Sequence, residues 1–127
     1  MNTKIYNEQI INEIKKIKMP IKNKNGTLVV FSAGSKKQKT INHIGLARHR
    51  LKVRDIKELP NIIQNPIKVL KDKKGKDKKI YVGNRPGRER MSLALVTRKR
   101  QNCEEIITYY PTKKYYIIFI DKNLTLN

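Results

Sequence analysis

The chain has 127 residues, of which 30 are Lys or Arg and 10 are Asp or Glu, so its formal net charge is +20. This length fits one domain, and a single Cys excludes an intrachain disulfide. Two His with one Cys do not complete a tetrahedral zinc site, and no unbroken apolar run predicts a signal peptide or a transmembrane span. The charge predicts salt-sensitive binding to a polyanion, with nucleic acid favoured.

A helix and a strand are predicted first. Residues 5–18 have the spacing of an amphipathic helix, because Ile10, Ile14 and Ile17 fall on one face. After a turn, residues 28–31 predict a short apolar strand. A polar loop is predicted next, over residues 34–39.

Two further helices are predicted before the middle of the chain. Thr40 or Asn42 is placed to cap a helix that runs to about residue 51. The next helix covers residues 54–64, and Pro60 inside it predicts a split or a kink. The apolar side of the helix over residues 54–64 is formed by Ile56, Leu59, Ile62 and Ile63.

From residue 67 onward the sequence predicts strands joined by short turns. The β-rich segments are residues 67–71, 79–82, 92–98, 104–110 and 115–120. Short connections favour antiparallel neighbours, and helices followed by a meander are typical of the α+β class. We therefore expect a single α+β domain over residues 1–127.

Both histidines lie in one basic segment, residues 42–50. Histidine exchanges a proton near physiological pH. RNA carries its own nucleophile, the 2′-hydroxyl, so a site that cleaves RNA needs only acid, base and charge stabilisation. In a continuous helix His43, Ala47 and Arg50 would share a face, and His49 would lie well round it. The sequence leaves open whether the two imidazoles share one site or are ordinary surface residues.

Two hydroxyl groups lie on the last predicted strand before residue 111. With regular alternation, Thr108 and Tyr110 face the same side as Ile106. A Thr hydroxyl can hold a phosphate oxygen, and a Tyr can stack on a base or donate to a phosphate. Both are also favoured strand residues, so a role in covering the sheet is equally compatible with the pattern.

Basic residues surround the predicted hairpins. Arg binds phosphate in a bidentate manner, whereas Lys runs attract polyanions diffusely. Arg98, at the end of a central strand, is a candidate for stabilising charge in a transition state. The candidates for RNA contact are Arg50, Lys78, Lys79, Arg85, Arg88, Arg90 and Arg100. The few acidic residues are scattered, so a metal-dependent nuclease with paired carboxylates is not expected.

Three short stretches in this order have a familiar pattern: residues 43–49, residues 59–66 (L-P-x-I-I-x-N-P) and residues 106–111 (I-I-T-Y-Y-P). The pattern resembles the phage and polymorphic-toxin branch of the barnase–EndoU–colicin–RelE-like ribonuclease superfamily. The resemblance covers residues 28–112 and implies N-terminal helices packed on a four- to five-stranded antiparallel sheet. Residues 1–22, an N-terminal amphipathic helix, and residues 113–127, an extra C-terminal strand, lie outside it.

The resemblance implies metal-independent cleavage of RNA, with tRNA favoured, that leaves a 2′,3′-cyclic phosphate and uses no cofactor. The implied acid or base is His43 or His49. The other implied catalytic residues are Arg48, Arg98, Thr108 and Tyr110. The resemblance also implies a toxin that acts in the cytoplasm after delivery from a larger secreted or phage-encoded protein. Its implied partner is an acidic immunity protein or antitoxin.

Two other functions are compatible with the same residues. One is a non-catalytic domain that binds RNA or the ribosome through charge alone. The other is a RelE-like toxin that cleaves messenger RNA only on the ribosome. A neighbouring gene for a small acidic protein would favour a toxin over the binding domain. Cleavage of free RNA in EDTA separates a free-standing endoribonuclease from the ribosome-dependent toxin.

Overall fold

The computed structural model describes residues 4–72, 77–113 and 124–126. The helices are α1 (Glu8–Lys15), α2 (Ser35–Ile44) and α3 (Val53–Gln64), and a 3₁₀ turn covers Ala47–His49. The strands are β1 (Ile21–Lys22), β2 (Leu28–Val30), β3 (Lys68–Asp72), β4 (Lys78–Arg85), β5 (Arg88–Lys99), β6 (Cys103–Lys113) and β7 (Leu124–Leu126). The predicted strand over residues 115–120 lies outside the described residues.

The described strands form one seven-stranded mixed sheet in the order β1-β2-β6-β5-β4-β3-β7. Strands β3 to β6 form the antiparallel meander that the short turns predict. The pairing of β2 with the start of β6 is parallel, with Leu28 opposite Cys103. The α+β class, with N-terminal helices on a sheet, is confirmed. The sheet is larger than the four to five strands expected, and it is not wholly antiparallel.

The three helices cover one face of the sheet. Ile10, Ile14 and the apolar side of α3 are all buried there, as their helical spacing predicts. Tyr81, Leu95 and Tyr109 reach the same core from the sheet. Fully burying an aliphatic side chain contributes roughly 1.5–3 kcal/mol, so this core supplies most of what holds the helices in place. Leu70 and Val82 form a second, smaller cluster.

Helix α2 differs most from the sequence prediction. It begins at Ser35, where a polar loop was expected, and ends at Ile44 instead of near residue 51. Gly34 precedes it with a φ of 65°, which glycine adopts without steric cost, and no side chain caps the helix. At Gly45 a Cβ would collide with the side chain of Ile11, so α1 packs directly on the end of α2.

The other two helices follow the predictions more closely. Helix α1 is shorter than residues 5–18 and begins after Asn7, whose Oδ1 accepts a hydrogen bond from Ile10 N at 3.3 Å. Helix α3 runs from Val53 to Gln64 through Pro60, so the predicted split does not occur. Proline has no N–H, and α3 therefore forgoes one internal hydrogen bond at this point. None of the described helices is long and apolar enough to cross a membrane.

Candidate functional site

The two histidines contact each other at the end of α2. Their ring centroids are 5.2 Å apart, and the rings meet edge to face at 79°. The helix stops at Ile44, and the 3₁₀ turn carries His49 back until its Nδ1 lies 3.3 Å from the carbonyl oxygen of Ile44. The face predicted for a continuous helix, with His43, Ala47 and Arg50 together, therefore does not form. The structure instead brings together the two imidazoles that the helical spacing separates.

Backbone hydrogen bonds hold this turn against the segment before α1. Gly45 O accepts from Asn7 N at 2.8 Å, and Ala47 N donates to Ile5 O at 2.9 Å. Arg50 closes the 3₁₀ turn with a φ of 54°, in the left-handed region. These contacts fix the backbone on both sides of the pair. They therefore fix the positions from which the two imidazole side chains extend.

The histidine pair lies in a cationic environment. His43 is exposed, His49 is half-buried and Arg48 is exposed beside them. Partial burial lowers the pKa of His43, and the positive charges of His49, Arg48 and Lys4 lower it further. A His43 ring of lowered pKa is neutral at pH 7 and can accept a proton there. The arrangement therefore offers a proton acceptor, a second imidazole in contact with it and a neighbouring guanidinium.

Arg85, which was predicted to contact RNA on the surface, is instead buried and ion-paired. Its side chain is buried, with 9% of the residue exposed, and is paired with Asp55, which is fully buried. Arg85 Nη2 donates to Asp55 Oδ2 at 3.0 Å and to the carbonyl oxygen of Arg50 at 2.8 Å. Asp55 Oδ2 also accepts from Lys52 N at 2.8 Å. Arg85 therefore ties the start of α3 to the residue that follows His49.

A bulge changes the faces of β6. Val96 lies opposite Thr108 and Thr97 lies opposite Ile106, so Ile107 is an extra residue between two pairs. Beyond it Tyr109, and not Thr108, shares the buried side of Ile106, and the Tyr109 hydroxyl donates to Asp55 O at 2.7 Å. The predicted common face of Ile106, Thr108 and Tyr110 is therefore wrong.

Thr108 and Tyr110 still share a face with each other, because they flank Tyr109 on a regular stretch of strand. That face is opposite to the one covered by the helices. The histidine pair lies in the helical layer, at the end of α2. The hydroxyl groups and the imidazoles are therefore not presented on one side of the sheet.

Of the remaining predicted cations, Arg50 directly follows His49, and the others lie on or beside β4 and β5. Arg98 is half-buried and lines a hollow together with Arg100 and two lysines of α2, Lys36 and Lys39, which the sequence analysis missed. Arg100 forms an ion pair with Glu105, and this guanidinium lowers the pKa of the Glu105 carboxyl. The exposed candidates are Arg50, Lys78, Arg88, Arg90 and Arg100, and Lys79 is half-buried.

A buried polar network at the start of β6 was also missed. Glu104 is 3% exposed, and its Oε1 accepts from the Tyr81 hydroxyl at 2.7 Å and from Thr97 Oγ1 at 2.8 Å. Its Oε2 accepts from Lys79 Nζ at 3.0 Å. Burial raises the pKa of Tyr81, and Glu104 raises it further, so this hydroxyl keeps its proton. The partners lie on other strands, and no local sequence pattern indicates them.

No family model, curated protein or solved structure matches this chain. Within residues 4–72 and 77–113, no three His, Cys, Asp or Glu side chains come together as possible metal ligands.

Proposed function

We propose that this protein is a metal-independent endoribonuclease whose reacting groups are His43 and His49. The observation that carries the proposal is the contact between the two imidazoles, with ring centroids 5.2 Å apart. One imidazole takes the proton of a 2′-hydroxyl, and the 2′-oxygen attacks the adjacent phosphorus. The bond to the 5′-oxygen breaks, and the other imidazole gives that oxygen a proton. The products are a 2′,3′-cyclic phosphate and a 5′-hydroxyl.

The two rings differ in a way that suits these two roles. The pKa of His43 is lowered by partial burial and by neighbouring positive charge, which favours the neutral form that a base requires. His49 Nδ1 faces the Ile44 carbonyl oxygen. When His49 is the protonated imidazolium, its Nδ1–H would donate to that oxygen and its Nε2–H would be the proton given to the leaving oxygen. Arg48 would stabilise the charge that develops on the phosphate oxygens.

The proposal extends to the biological class that the sequence motifs imply. The protein would be a toxin that acts on RNA in the cytoplasm, with tRNA favoured, after delivery from a larger secreted or phage-encoded protein. Its maker would need a neutralising partner. A surface of net charge +20 favours an acidic immunity protein or antitoxin, because complementary charge speeds association and disfavours wrong partners.

The proposal is tested by incubating the purified protein with free total RNA in EDTA and mapping the new ends. We expect cleavage, with 2′,3′-cyclic phosphate ends, and no cleavage of a substrate that lacks the 2′-hydroxyl at the cut position. Cleavage that needs a divalent metal would contradict the proposal. Cleavage of messenger RNA on ribosomes alone would establish the ribosome-dependent alternative, and binding without cleavage in either assay would establish the binding domain.

The pH dependence of kcat/KM should report on His43. The base must be neutral, so the rate falls as pH drops through the pKa of His43, and this acidic limb should lie below pH 6.5. Lys4→Gln removes one of the cations that lower this pKa, so it should move the limb toward higher pH. Lys15→Gln on α1 is the matched control and should leave the limb in place. An acidic limb above pH 6.5 would contradict the assignment of His43 as the base.

A further inference from the structure

We propose that a connected track of Lys and Arg side chains binds the backbone of a single RNA strand and leads it to His43. The statement that the track leads to a reacting group, His43, rests on the proposed function. The binding itself does not, because it requires no reaction at the histidine pair.

Three adjoining hollows form the track. The largest, of about 710 Å³, lies between the β1–β2 turn, the β5–β6 turn and the start of β4. A hollow of about 470 Å³ adjoins it at Lys79, which lines both. A third, of about 250 Å³, adjoins it at Arg100, which also lines both. Neighbouring hollows therefore meet at a shared cationic side chain.

The largest hollow carries uncompensated positive charge. Four of its lining lysines make no ion pair within residues 4–72 and 77–113: Lys22, Lys71, Lys78 and Lys99. Its acidic lining residues are Asp77 and Glu104, and Glu104 is already committed to Lys79. Like charges gathered in a concave surface repel one another, and a bound polyanion relieves that repulsion. The charge therefore favours phosphate groups as the occupants.

Lys79 differs from an ordinary surface lysine. Its side chain is 24% exposed, and Glu104 holds its Nζ at 3.0 Å. The carboxylate is itself fixed by Tyr81 and Thr97. The buried network thus places one ammonium group at the junction of two hollows, which lowers the entropy cost of binding a phosphate there.

The third hollow connects the track to the proposed reacting groups. It is lined by Lys36, Lys39 and Thr40 of α2 and by Arg98 of β5. On a helix, residues at i, i+3 and i+7 share a face, so Lys36, Lys39 and His43 form one stripe along α2. His43 lies about 6 Å along the helix axis from Lys39, at 1.5 Å per residue. A strand held by these lysines therefore reaches the histidine pair one helical turn further on.

The shape of the track favours a single strand over a duplex. Separate hollows can receive individual nucleotides of a flexible strand, whereas a duplex keeps its bases paired inside. Among the described lining residues only Tyr81 is aromatic, and its ring is buried. Recognition along the track would therefore depend on backbone charge and tolerate many base sequences.

The test compares three variants that each remove two positive charges. Lys22→Gln with Lys99→Gln changes the largest hollow, at the middle of the track, and Lys36→Gln with Lys39→Gln changes the end near His43. Lys15→Gln with Lys57→Gln changes exposed lysines of α1 and α3 that line none of the three hollows. Affinity for a 2′-O-methyl RNA, which cannot be cleaved, is measured by fluorescence anisotropy at several salt concentrations. Strands of roughly 4 and roughly 16 nucleotides bracket the usual single-strand site sizes.

For the long strand, each track variant should reduce the slope of log affinity against log salt by about 1.4, since each neutralised phosphate contributes about 0.7. The control variant should leave the slope unchanged. The short strand spans only part of the track, so it should respond to one track variant and not to both. Equal losses in all three variants, or a duplex that matches the single strand in affinity and in its response to the variants, would overturn the proposal. If the variants bind as predicted but the protein does not cleave free RNA in the separate cleavage assay, the ribonuclease proposal is rejected and the track proposal remains supported.

Discussion

Replacement of His43 by Ala should lower RNA cleavage by about 10²–10⁴-fold, which is the usual contribution of a general acid or base. The protein should stay folded, because His43 is exposed on the last turn of α2 and contributes nothing to the buried core. His49→Ala should cause a loss in the same range. The measurement is kcat/KM on a short RNA, with circular dichroism to confirm the fold.

The double variant and a neighbouring substitution sharpen this test. Because the two imidazoles act in one reaction, losing both should cost little more than losing one. Asn42→Ala, one residue before His43 on the same helix, is the matched control and should cleave at the wild-type rate. Wild-type rates in both single histidine variants would reject the mechanism.

Replacement of Arg85 by Ala should lower the free energy of unfolding by about 3–5 kcal/mol. Asp55 is fully buried, and without Arg85 its carboxylate would lose its ionic partner in the interior. The change also removes the donor to the carbonyl of Arg50, so the turn that carries His49 should loosen as well. Urea denaturation monitored by circular dichroism measures the loss.

Arg88 provides the control for this prediction. It is exposed and lies in the same hairpin, so Arg88→Ala should change the free energy of unfolding by less than about 0.5 kcal/mol. The combination of Arg85→Ala with Asp55→Asn should cost less than the sum of the single changes, because the two side chains form one pair. An Arg85→Ala protein of unchanged stability but weakened RNA binding would restore the assignment of Arg85 to the RNA surface.

Helical spacing and turn length in the sequence correctly predicted those elements that depend on residues close together in the chain. The isoleucines of α1 and the apolar side of α3 repeat at helical spacing, and both faces are buried as predicted. Short turns between β-rich segments predicted the antiparallel meander of β3 to β6 correctly. These predictions succeed because periodicity and turn length act between residues that are close in the chain.

Helix α2 and the bulge in β6 show where local patterns fail. The start of α2 follows a glycine with positive φ and no capping side chain, so the cap candidates Thr40 and Asn42 lie inside the helix. The extra residue Ile107 reverses the alternation that places Thr108. A bulge depends on how two strands fit together, and neither strand alone indicates it.

The sequence by itself determined the α+β class, the buried faces of α1 and α3, the high positive charge and the presence of two histidines in one basic segment. Only the tertiary structure decided that those histidines touch, because a 3₁₀ turn and the packing of α1 at Gly45 end the helix between them. It also decided that Arg85 is a buried partner of Asp55, 30 residues away, and that Lys79 is held by Glu104, 25 residues away. Charge and periodicity belong to the residues themselves, whereas burial and pairing depend on which distant segments the fold brings together.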